Sequence, residues 1–503
     1  MENIRGREKQ IVEERIKKIN ELRKDGIEPY AYSFDKNRNY SEDIKKKYLK
    51  LGDGEFGKEV VIAGRVMTKR SLGMISFAKL QDLKGDIQLV FQKGMTSEDI
   101  FNLFKRVDSG DIVGVHGKVF RTKRGELSIM VESLKILTKA ILPLPEKFHG
   151  LKDDEEKLRK RYLDIIMNPE VKNLFILKQK FWATIRSFLV DEGFLEVETP
   201  ILESSAGGAT AEPFVTHHNA LDLDVYLRIS MGELWQKKLL VAGYEKTFEI
   251  GRQFRNEGMD MEHLQDYSQM EFYWGYADFS DGMKLVEKMY KKVAKEVLGT
   301  LKFKTHGYEI DLSRKWEIYD YEKFIEEKTG IKIFEDGMEK IMKSLGEFGM
   351  EYDSSVDKWR LVDILWKYCR KQISGPGFLV GQPVEIAPLA KRSRKDSRKV
   401  EQFQVIIAGT EMGNGYSELN DPIDQEGRFI RQAKLKEAGD LEAQEHDKEF
   451  VEALMYGMPP ACGFGVSERL FSYLVDRPIK ECVMFPLMKP ECSVQKKVKK
   501  RKQ

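Results

Sequence analysis

The sequence predicts at least two folded domains, a small β-barrel followed by a larger domain that combines β-hairpins with helices. The chain has 503 residues, which is too many for one hydrophobic core. Short alternating segments separated by glycine-marked turns fill residues 60–137, as in a small barrel. Two further hairpin patterns, at residues 248–274 and 405–419, lie among segments of helical periodicity.

We divide the chain into five segments on these patterns. They are an N-terminal helical extension (1–55), the barrel (56–140), a linker (141–165), the larger domain (166–492) and a basic tail (493–503). Residues 280–380 are rich in helical patterns and carry no recognisable motif. The basic run KRSRKDSRK at residues 391–399 has three interpretations: a solvated loop, an RNA contact or a mobile flap.

Composition limits the classes of protein to consider. The chain is 41% apolar and 33% charged, as expected for a globular protein, and its net charge of +3 neither implies nor excludes nucleic acid. Four cysteines show no paired or zinc-like spacing, which favours a reducing cytoplasm. Because no apolar run has the length of a membrane span and the N-terminus has no apolar signal core, we expect a cytoplasmic protein without membrane association.

The N-terminal extension predicts a helix with a narrow apolar stripe. The stripe consists of Ile4, Ile11, Ile16, Ile19 and Leu22. Either this helix packs on the next domain, or its basic face touches an RNA backbone.

Five segments of strand length make up the predicted barrel. They are VVIAGRVM, SFAKLQD, DIQLVFQ, IVGVHGKVF and LSIMVESLKIL. Five short strands with turns of this kind favour the OB-fold.

The hairpin sequence FEIGRQFRNEGMDMEHLQDYSQMEFYW at residues 248–274 is the most informative part of the chain. Strand alternation places polar side chains on one face of each segment. These are Gln253, Arg255 and Glu257 on the first segment, and Gln269, Glu271 and Tyr273 on the second. Such a surface can hold a polar, charged substrate; an ordinary hairpin with a solvated outer face is the alternative.

A second hairpin is predicted within VIIAGTEMGNGYSELND at residues 405–421, with its turn at Ala408 and Gly409. Asn414, Tyr416 and Glu418 then share one face at a spacing of two residues.

Glu411 lies three residues before Asn414 and joins that face only if the strand bulges, which Gly413 and Gly415 permit. Two carboxylates that converge on one spot need a cation, and magnesium is the usual one beside a nucleotide. Surface carboxylates on an edge strand are the alternative.

These sequences together resemble the class II aminoacyl-tRNA synthetases in their lysyl form. The hairpin at 248–274 resembles motif 2, and YGMPPACGFGVSERLFSYL at 456–474 resembles motif 3. The helical segment 171–192 followed by GFLEVETPIL resembles motif 1. The resemblance covers residues 60–490 with the three motifs in order. It implies an N-terminal OB-fold barrel that binds the anticodon and an α+β catalytic domain with a mainly antiparallel sheet flanked by helices.

The activity that the resemblance implies is lysine–tRNA ligation. The lysine carboxylate attacks the α-phosphate of ATP to give lysyl-adenylate and pyrophosphate, and the lysyl group then passes to the 3'-terminal ribose of tRNA(Lys). The implied cofactor is Mg²⁺, and the implied partners are tRNA(Lys), ATP, L-lysine and a second copy of the chain, with no DNA. No protein nucleophile is required, since such a site works by positioning and charge stabilisation.

The resemblance also assigns roles to individual residues. Arg255 and Arg469 are the implied catalytic residues. ATP would meet Arg255, Glu257, His263, Tyr267, Glu411 and Arg469. Lysine would meet Gly207, Gly208, Glu233, Arg255, Glu271, Tyr273, Asn414, Tyr416 and Glu418. Glu411 and Glu418 would bind the metal, and Phe77 and Gln88 would meet the anticodon by stacking and by reading a base edge.

The chain departs from the family pattern at two places. It is one residue longer just before Glu233, and its motif 3 (GFGVSER) lacks a glycine and one residue before Arg469. For Phe77, a position in the barrel core is the alternative to anticodon contact.

The residues themselves favour a cationic substrate side chain. Glu271, Tyr273, Tyr416 and Glu418 would line an acidic pocket with aromatic walls. A buried carboxylate needs a cation, and a cation also sits well against aromatic faces. A pocket for aspartate would need Arg or Lys where this chain has Glu.

Three other functions are compatible with parts of the pattern. An enzyme of this fold that lysylates a protein would lack the barrel. A silent RNA-binding paralogue would have lost residues such as Arg255, Glu411, Glu418 or Arg469, all of which are present. An aspartyl- or asparaginyl-type enzyme is disfavoured by the acidic pocket.

Overall fold

The computed structural model describes residues 6–145, 153–205, 207–209, 211–256, 258, 260, 262–353, 356–437 and 446–490. The chain divides into two compact units between Glu170 and Val171. None of the described helices combines the length and the apolar composition needed to cross a bilayer.

The first unit is built around a closed barrel with the strand order β1-β2-β3-β5-β4, which confirms the predicted OB-type barrel. Its strands are β1 (Phe56–Leu72), β2 (Ile75–Gln81), β3 (Asp86–Gln92), β4 (Ile112–Arg121) and β5 (Leu127–Thr138). The helices of this unit are α1 (Gly6–Lys24), α2 (Ser41–Lys47), α3 (Glu98–Lys105), α4 (Asp154–Arg159) and α5 (Arg161–Met167). Alternate residues of each strand, such as Leu80, Leu89 and Val115, are fully buried in the barrel interior.

Helix α1 packs on the barrel, as one of its two interpretations predicted. Leu22 is fully buried and belongs to the barrel's hydrophobic core. The Arg15 guanidinium donates to the carbonyls of Ser109 and Ala140, both at 2.9 Å. Lys18 forms an ion pair of 2.7 Å with Asp108.

The second unit contains a mainly antiparallel sheet in the order β14-β15-β16-β17-β18-β11-β10-β6. Its strands are β6 (Leu195–Glu196), β10 (Lys246–Phe254), β11 (Asp266–Gly275), β14 (Glu317–Asp320), β15 (Gly377–Val380), β16 (Gln402–Ile407), β17 (Thr410–Ser417) and β18 (Ala461–Ser467). Only the end pairs β6–β10 and β14–β15 run parallel among these described strands. Two small sheets accompany it, formed by β7 (Leu202–Glu203), β8 (Val215–His218) and β9 (Leu223–Leu227), and by β12 (Lys302–Thr305) and β13 (Tyr308–Asp311).

Helices flank the large sheet, as the α+β prediction requires. They are α6 (Pro169–Asp191), α7 (Glu233–Val241), α8 (Phe279–Leu298), α9 (Tyr321–Thr329), α10 (Met338–Glu347), α11 (Lys358–Cys369), α12 (Pro422–Glu437), α13 (Lys448–Met455) and α14 (Arg469–Leu474). Buried residues of α6 and α8 join those of the sheet in one hydrophobic core. Helices α9, α10 and α11 form a second core, which accounts for the helix-rich segment without a motif.

The second predicted hairpin is formed by β16 and β17. Its turn residues, Ala408 and Gly409, have φ values of 52° and 68°, the combination found in type I′ hairpin turns. Glu411 pairs with Ile406 and Asn414 pairs with Gln404, so three residue steps on β17 lie opposite two on β16. Strand β17 therefore carries the extra residue of a bulge, as the glycines in its sequence predicted.

The basic run at residues 391–399 is held by ion pairs within the second unit. Arg392 pairs with Asp424 at 3.0 Å, and Lys399 pairs with Glu322 at 2.7 Å. These contacts fit the interpretation as a loop, while the RNA contact and the mobile flap stay predictions.

Candidate active site

A cavity of about 520 Å³ lies on the large sheet of the second unit. Strands β11, β17 and β18, the loop at 208–209, and the beginnings of α7 and α14 line it. One end is acidic and deeply buried, and the other carries two arginines.

Strand β11 supplies one wall of the cavity. Tyr267, Gln269, Glu271 and Tyr273 alternate along the strand and all line the cavity. The alternation predicted from the motif 2 sequence therefore brings Glu271 and Tyr273 to one face. Gln269 was predicted on this face without a role; it donates to Glu271 Oε1 at 2.6 Å.

Strand β18 forms the floor between the two walls. Gly465 lies opposite Glu271 in the register, and Gly463 lies opposite Tyr273. A Cβ atom at position 463 would be 2.1 Å from Glu418 Oε1 and 2.7 Å from the Tyr273 ring. Only glycine fits this position, and its sequence signal is the Gly-Phe-Gly within the segment that resembles motif 3.

Strand β17 and the residue after it supply the opposite wall. Asn414, Tyr416 and Glu418 all line the cavity, as their spacing of two predicted. The bulge brings Glu411 to the same cavity.

Three carboxylates converge at the acidic end. Glu233, Glu271 and Glu418 are 6%, 6% and 1% exposed, respectively. The Tyr273 hydroxyl donates to Glu271 at 3.0 Å, and the Tyr416 hydroxyl donates to Glu233. Despite the extra residue before it, Glu233 is therefore brought to the site, where it begins helix α7.

A buried lysine, which sequence reasoning missed, lies among these carboxylates. Lys237 Nζ is 2.7 Å from Glu233 Oε1 and 2.5 Å from Glu418 Oε2, and its side chain is fully buried. The only signal was its spacing of four residues from Glu233, which is also the spacing of ordinary surface ion pairs on helices.

The electrostatics of the acidic end follow from burial and charge. Burial raises the pKa of Glu271, and the nearby charge of Glu233 raises it further. Burial also raises the pKa of Glu418, while the Lys237 ammonium opposes that shift. For Lys237 itself, burial lowers the pKa, but the charges of Glu233 and Glu418 outweigh burial and hold it above its usual value.

The other end of the cavity carries the predicted nucleotide contacts. Arg255, His263, Tyr267 and Arg469 all line it. The Arg255 guanidinium lies 5.9 Å from the centre of the Tyr267 ring, and its Nε donates to the Ile229 carbonyl at 3.3 Å. Arg469 is the first residue of α14, so the shortened motif 3 still delivers this arginine to the cavity.

Two of these residues have acidic neighbours that the sequence pattern did not indicate. The half-exposed His263 ring contacts Asp260 at 2.8 Å, and Arg469 Nη1 lies 3.9 Å from Glu262. Glu257, a predicted ATP contact, lies outside the described residues.

The predicted glycine loop reaches the cavity with one of its two glycines. Gly208 has a φ of +85° and lines the cavity, where a Cβ atom would be 2.5 Å from Ser230 Oγ. Gly207 lines a smaller neighbouring cavity instead.

The residues predicted to bind magnesium do not fit one shared ion. Glu411 and Glu418 are seven positions apart along an extended strand that rises about 3.3 Å per residue, so their Cα atoms are on the order of 20 Å apart. A magnesium ion needs all its ligands within about 2.1 Å. Glu411 instead accepts from Trp366 Nε1 at 2.9 Å and pairs with Arg370 at 3.0 Å. Within the described residues, no group of three or more His, Cys, Asp or Glu side chains is arranged for a metal ion.

The barrel carries the predicted anticodon residues on its outer face. Phe77 and Gln88 are half-buried, whereas Ala78 and Ile87 beside them point inward. Lys79 lies opposite Gln88 in the register, two residues from Phe77 and therefore on the same face. The Gln88 amide donates to Ser128 Oγ at 2.9 Å. Phe77 is thus not a core residue of the barrel.

Comparison with known proteins gives the family of this chain. Residues 153–489 match the family model described as tRNA synthetases class II (D, K and N). The chain belongs to the class II tRNA synthetases of this group. Residues 60–137 match a second model, described as an OB-fold nucleic acid binding domain within the tRNA anticodon family.

Relatives named lysine–tRNA ligase resemble this class II synthetase over nearly its whole length. The relative from Thermosipho africanus is 43% identical over 487 residues, which are 96% of each chain. The relative from Fervidobacterium nodosum is 45% identical over 95% of this chain and 94% of its own. The relative from Bacillus subtilis is 43% identical over 94% of this chain and 96% of its own. The predicted resemblance to the lysyl form of the class II synthetases is confirmed.

Proposed function

We propose that the protein is a lysine–tRNA ligase. It activates L-lysine with ATP to lysyl-adenylate and pyrophosphate, and then transfers the lysyl group to the 3'-terminal ribose of tRNA(Lys). The observation that carries this proposal is a single cavity with three buried carboxylates at one end and Arg255 and Arg469 at the other.

The acidic end suits the two ammonium groups of lysine. Glu418 Oε1 is buried and has no hydrogen-bond partner among the described residues, so it can accept from the side-chain ammonium. Tyr273 and Tyr416 add aromatic surface beside it. Glu233, with Gly208 of the loop, would hold the α-amino group.

An aspartate or asparagine substrate is disfavoured, although the family model includes those enzymes. Lys237 supplies one positive charge to the pocket, but Glu233 and Glu418 already engage it. An acidic side chain would add a fourth carboxylate to three buried ones, which is electrostatically costly.

The arginines would stabilise charge during adenylate formation. Arg255 would bridge the lysine carboxylate and the α-phosphate, and Arg469 would neutralise the phosphates as the new bond forms. Tyr267 would stack on adenine, with His263 near the phosphates. The lysine carboxylate is itself the nucleophile, so these residues work by orientation and charge.

Magnesium enters the proposal only as the ion that accompanies ATP and offsets phosphate charge. We assign no step to it, since Glu411 and Glu418 cannot share one ion in this arrangement. Glu411 lines the cavity together with Arg469, and we assign it to the nucleotide side of the cavity.

The barrel would recognise the anticodon of tRNA(Lys). Phe77 offers an outward ring on which an unpaired base can stack, and Gln88 lies on the neighbouring strand. The homodimer and the absence of a DNA partner stay predictions of the resemblance, and the cytoplasmic location stays a prediction from the composition.

Aminoacylation tests the proposal directly. Purified protein, ATP, magnesium and radiolabelled lysine are incubated with tRNA(Lys), and in parallel with tRNA(Asp) and labelled aspartate. We expect acid-precipitable lysyl-tRNA only with tRNA(Lys). Charging of aspartate, or none with lysine while a known ligase charges the same tRNA, would contradict it.

A further inference from the structure

The ammonium of Lys237 is fully buried beside the cavity, in contact with two of the carboxylates that line its acidic end. It contacts Glu233 at 2.7 Å and Glu418 at 2.5 Å, and these two carboxylates come from different elements of the fold. The rings of Tyr416 and Phe450 lie 5.5 and 5.8 Å from it. A buried ion cluster is seldom more stable than apolar packing of the same volume. Its presence beside a binding cavity therefore indicates a functional role.

We propose that Lys237 is a positioning residue that sets the selectivity of the pocket for lysine. The inference rests on the proposed function. The Lys237 ammonium bridges Glu233 and Glu418, fixes their separation and leaves each an oxygen for one of the two ammonium groups of the substrate.

Charge balance is the first argument. Three buried carboxylates face one internal ammonium, so the pocket lacks two positive charges when all three are ionised. Burial and the mutual repulsion of the carboxylates raise the pKa values of Glu271 and Glu418 accordingly. Lysine brings two ammonium groups, and its carboxylate would lie toward Arg255, away from this end. Without Lys237, bound lysine would leave one buried carboxylate without a cation, which is strongly unfavourable.

Geometry is the second argument. Because one nitrogen atom contacts both carboxylates, Glu233 Oε1 and Glu418 Oε2 can be no more than about 5 Å apart. Glu418 Oε1 has no hydrogen-bond partner among the described residues. A Cβ atom at Gly463 would touch this oxygen, so Glu418 Oε1 points over the glycine floor. The bridge thus sets the distance between the positions that receive the α- and side-chain ammonium groups. Ornithine, one methylene shorter, would not span them equally well.

The experiment compares Lys237→Met with Lys238→Met, a control that makes the same substitution at the next residue. Lys238 is 22% exposed, pairs with the exposed Glu449 and lies over the Trp235 ring, outside the main cavity. For each protein, ATP–pyrophosphate exchange gives kcat and KM for lysine, for ornithine and for ATP.

For Lys237→Met we expect KM for lysine to rise at least about 10-fold, with KM for ATP unchanged. We also expect the preference for lysine over ornithine to fall several-fold, within the range of about 10 to 200 that one methylene provides. Lys238→Met should match the unchanged protein. A Lys237→Met protein with unchanged KM for lysine and unchanged preference over ornithine would overturn the proposal.

A second variant covers the case in which Lys237→Met folds poorly. Lys237→Ala leaves a space that propylammonium can enter, and we expect this amine, but not propanol, to restore KM for lysine. Failure of the amine to restore it would overturn the proposal. The absence of lysine-dependent exchange in the unchanged protein is a different result, which would contradict the proposed function instead.

Discussion

Gly463 illustrates how far the cavity depends on single residues. Its missing Cβ leaves the space in which Glu418 Oε1 and the Tyr273 ring approach the floor of the cavity. Sequence reasoning found the alternating polar residues of β11 and β17, because strand period alone puts them on one face. It could not find the floor glycines or Lys237, since their roles depend on which strands and helices become neighbours.

We expect Gly463→Ala to lower kcat/KM for lysine by about 10-fold or more, since a methyl group in a filled core typically costs about 1–3 kcal/mol. The matched control is Gly346→Ala, because position 346 lies in helix α10 with no atom within 4 Å of an added Cβ. Lysine-dependent ATP–pyrophosphate exchange on both variants gives the comparison. Equal activity of the two would argue against a floor role for Gly463.

Substitution of Glu418 tests lysine binding separately from magnesium binding. We expect Glu418→Gln to lower kcat/KM for lysine about 100-fold, since a buried hydrogen bond to a charged group is worth about 1.5–3 kcal/mol. Calorimetric affinity for magnesium and ATP together should be unchanged, because Glu418 lies at the far end of β17 from Glu411.

Glu449→Gln is the control for this substitution, since the Glu449 side chain is 81% exposed. A clear loss of ATP affinity in Glu418→Gln would restore the idea of a shared metal ion.

At the scale of elements, the β16–β17 hairpin shows which parts of the fold were predictable. The β16–β17 turn and the bulge in β17 followed from glycines and alternation, which are local signals. The magnesium-binding pair was not predictable from these local signals. A shared face indicated that Glu411 and Glu418 converge, but the length of the strand between them keeps them apart. A shared face brings side chains to one surface but not to one point.

The contact between β7 and α7 buries a carboxyl group whose ionisation opposes folding. Glu203 is 8% exposed, and Trp235 Nε1 donates to it at 2.9 Å. Burial raises the pKa of Glu203 to about 7. Because the folded pKa exceeds the unfolded one, the folded state binds more protons between about pH 4.5 and 7, and stability falls as pH rises through that window.

We therefore expect the stability of Glu203→Gln, relative to that of the unchanged protein, to increase as the pH rises from 5 to 8. The gain should be roughly 2–3 kcal/mol, at about 1.4 kcal/mol for each pKa unit. Calorimetric unfolding at the two pH values measures it, with the exposed Glu245→Gln as control. A stability difference that is the same at both pH values would refute the raised pKa.

At the scale of the whole molecule, the two units divide the proposed reaction between them. The cavity lies entirely within the second unit, whereas Phe77 and Gln88 lie on the barrel of the first. The barrel and the α+β architecture were predictable because five alternating strands and three motifs in order are features of long stretches of chain. Lysine activation should therefore be independent of the barrel's outer face.

We expect Phe77→Ala to lower kcat/KM for tRNA about 10-fold or more, since stacking of a base on an aromatic ring is worth about 1–3 kcal/mol. Lysine-dependent ATP–pyrophosphate exchange without tRNA should be unchanged. The control is Phe56→Ala, whose ring is 48% exposed and stacks on Phe120 elsewhere on the barrel. If both variants charged tRNA equally well, Phe77 would not be an anticodon contact.

The central claim is that the acidic cavity selects lysine for activation. ATP–pyrophosphate exchange with each of the twenty amino acids, with and without magnesium, tests it most directly. We predict magnesium-dependent exchange with lysine and background with the other nineteen. Exchange driven by aspartate or asparagine, or none with any amino acid, would contradict the claim.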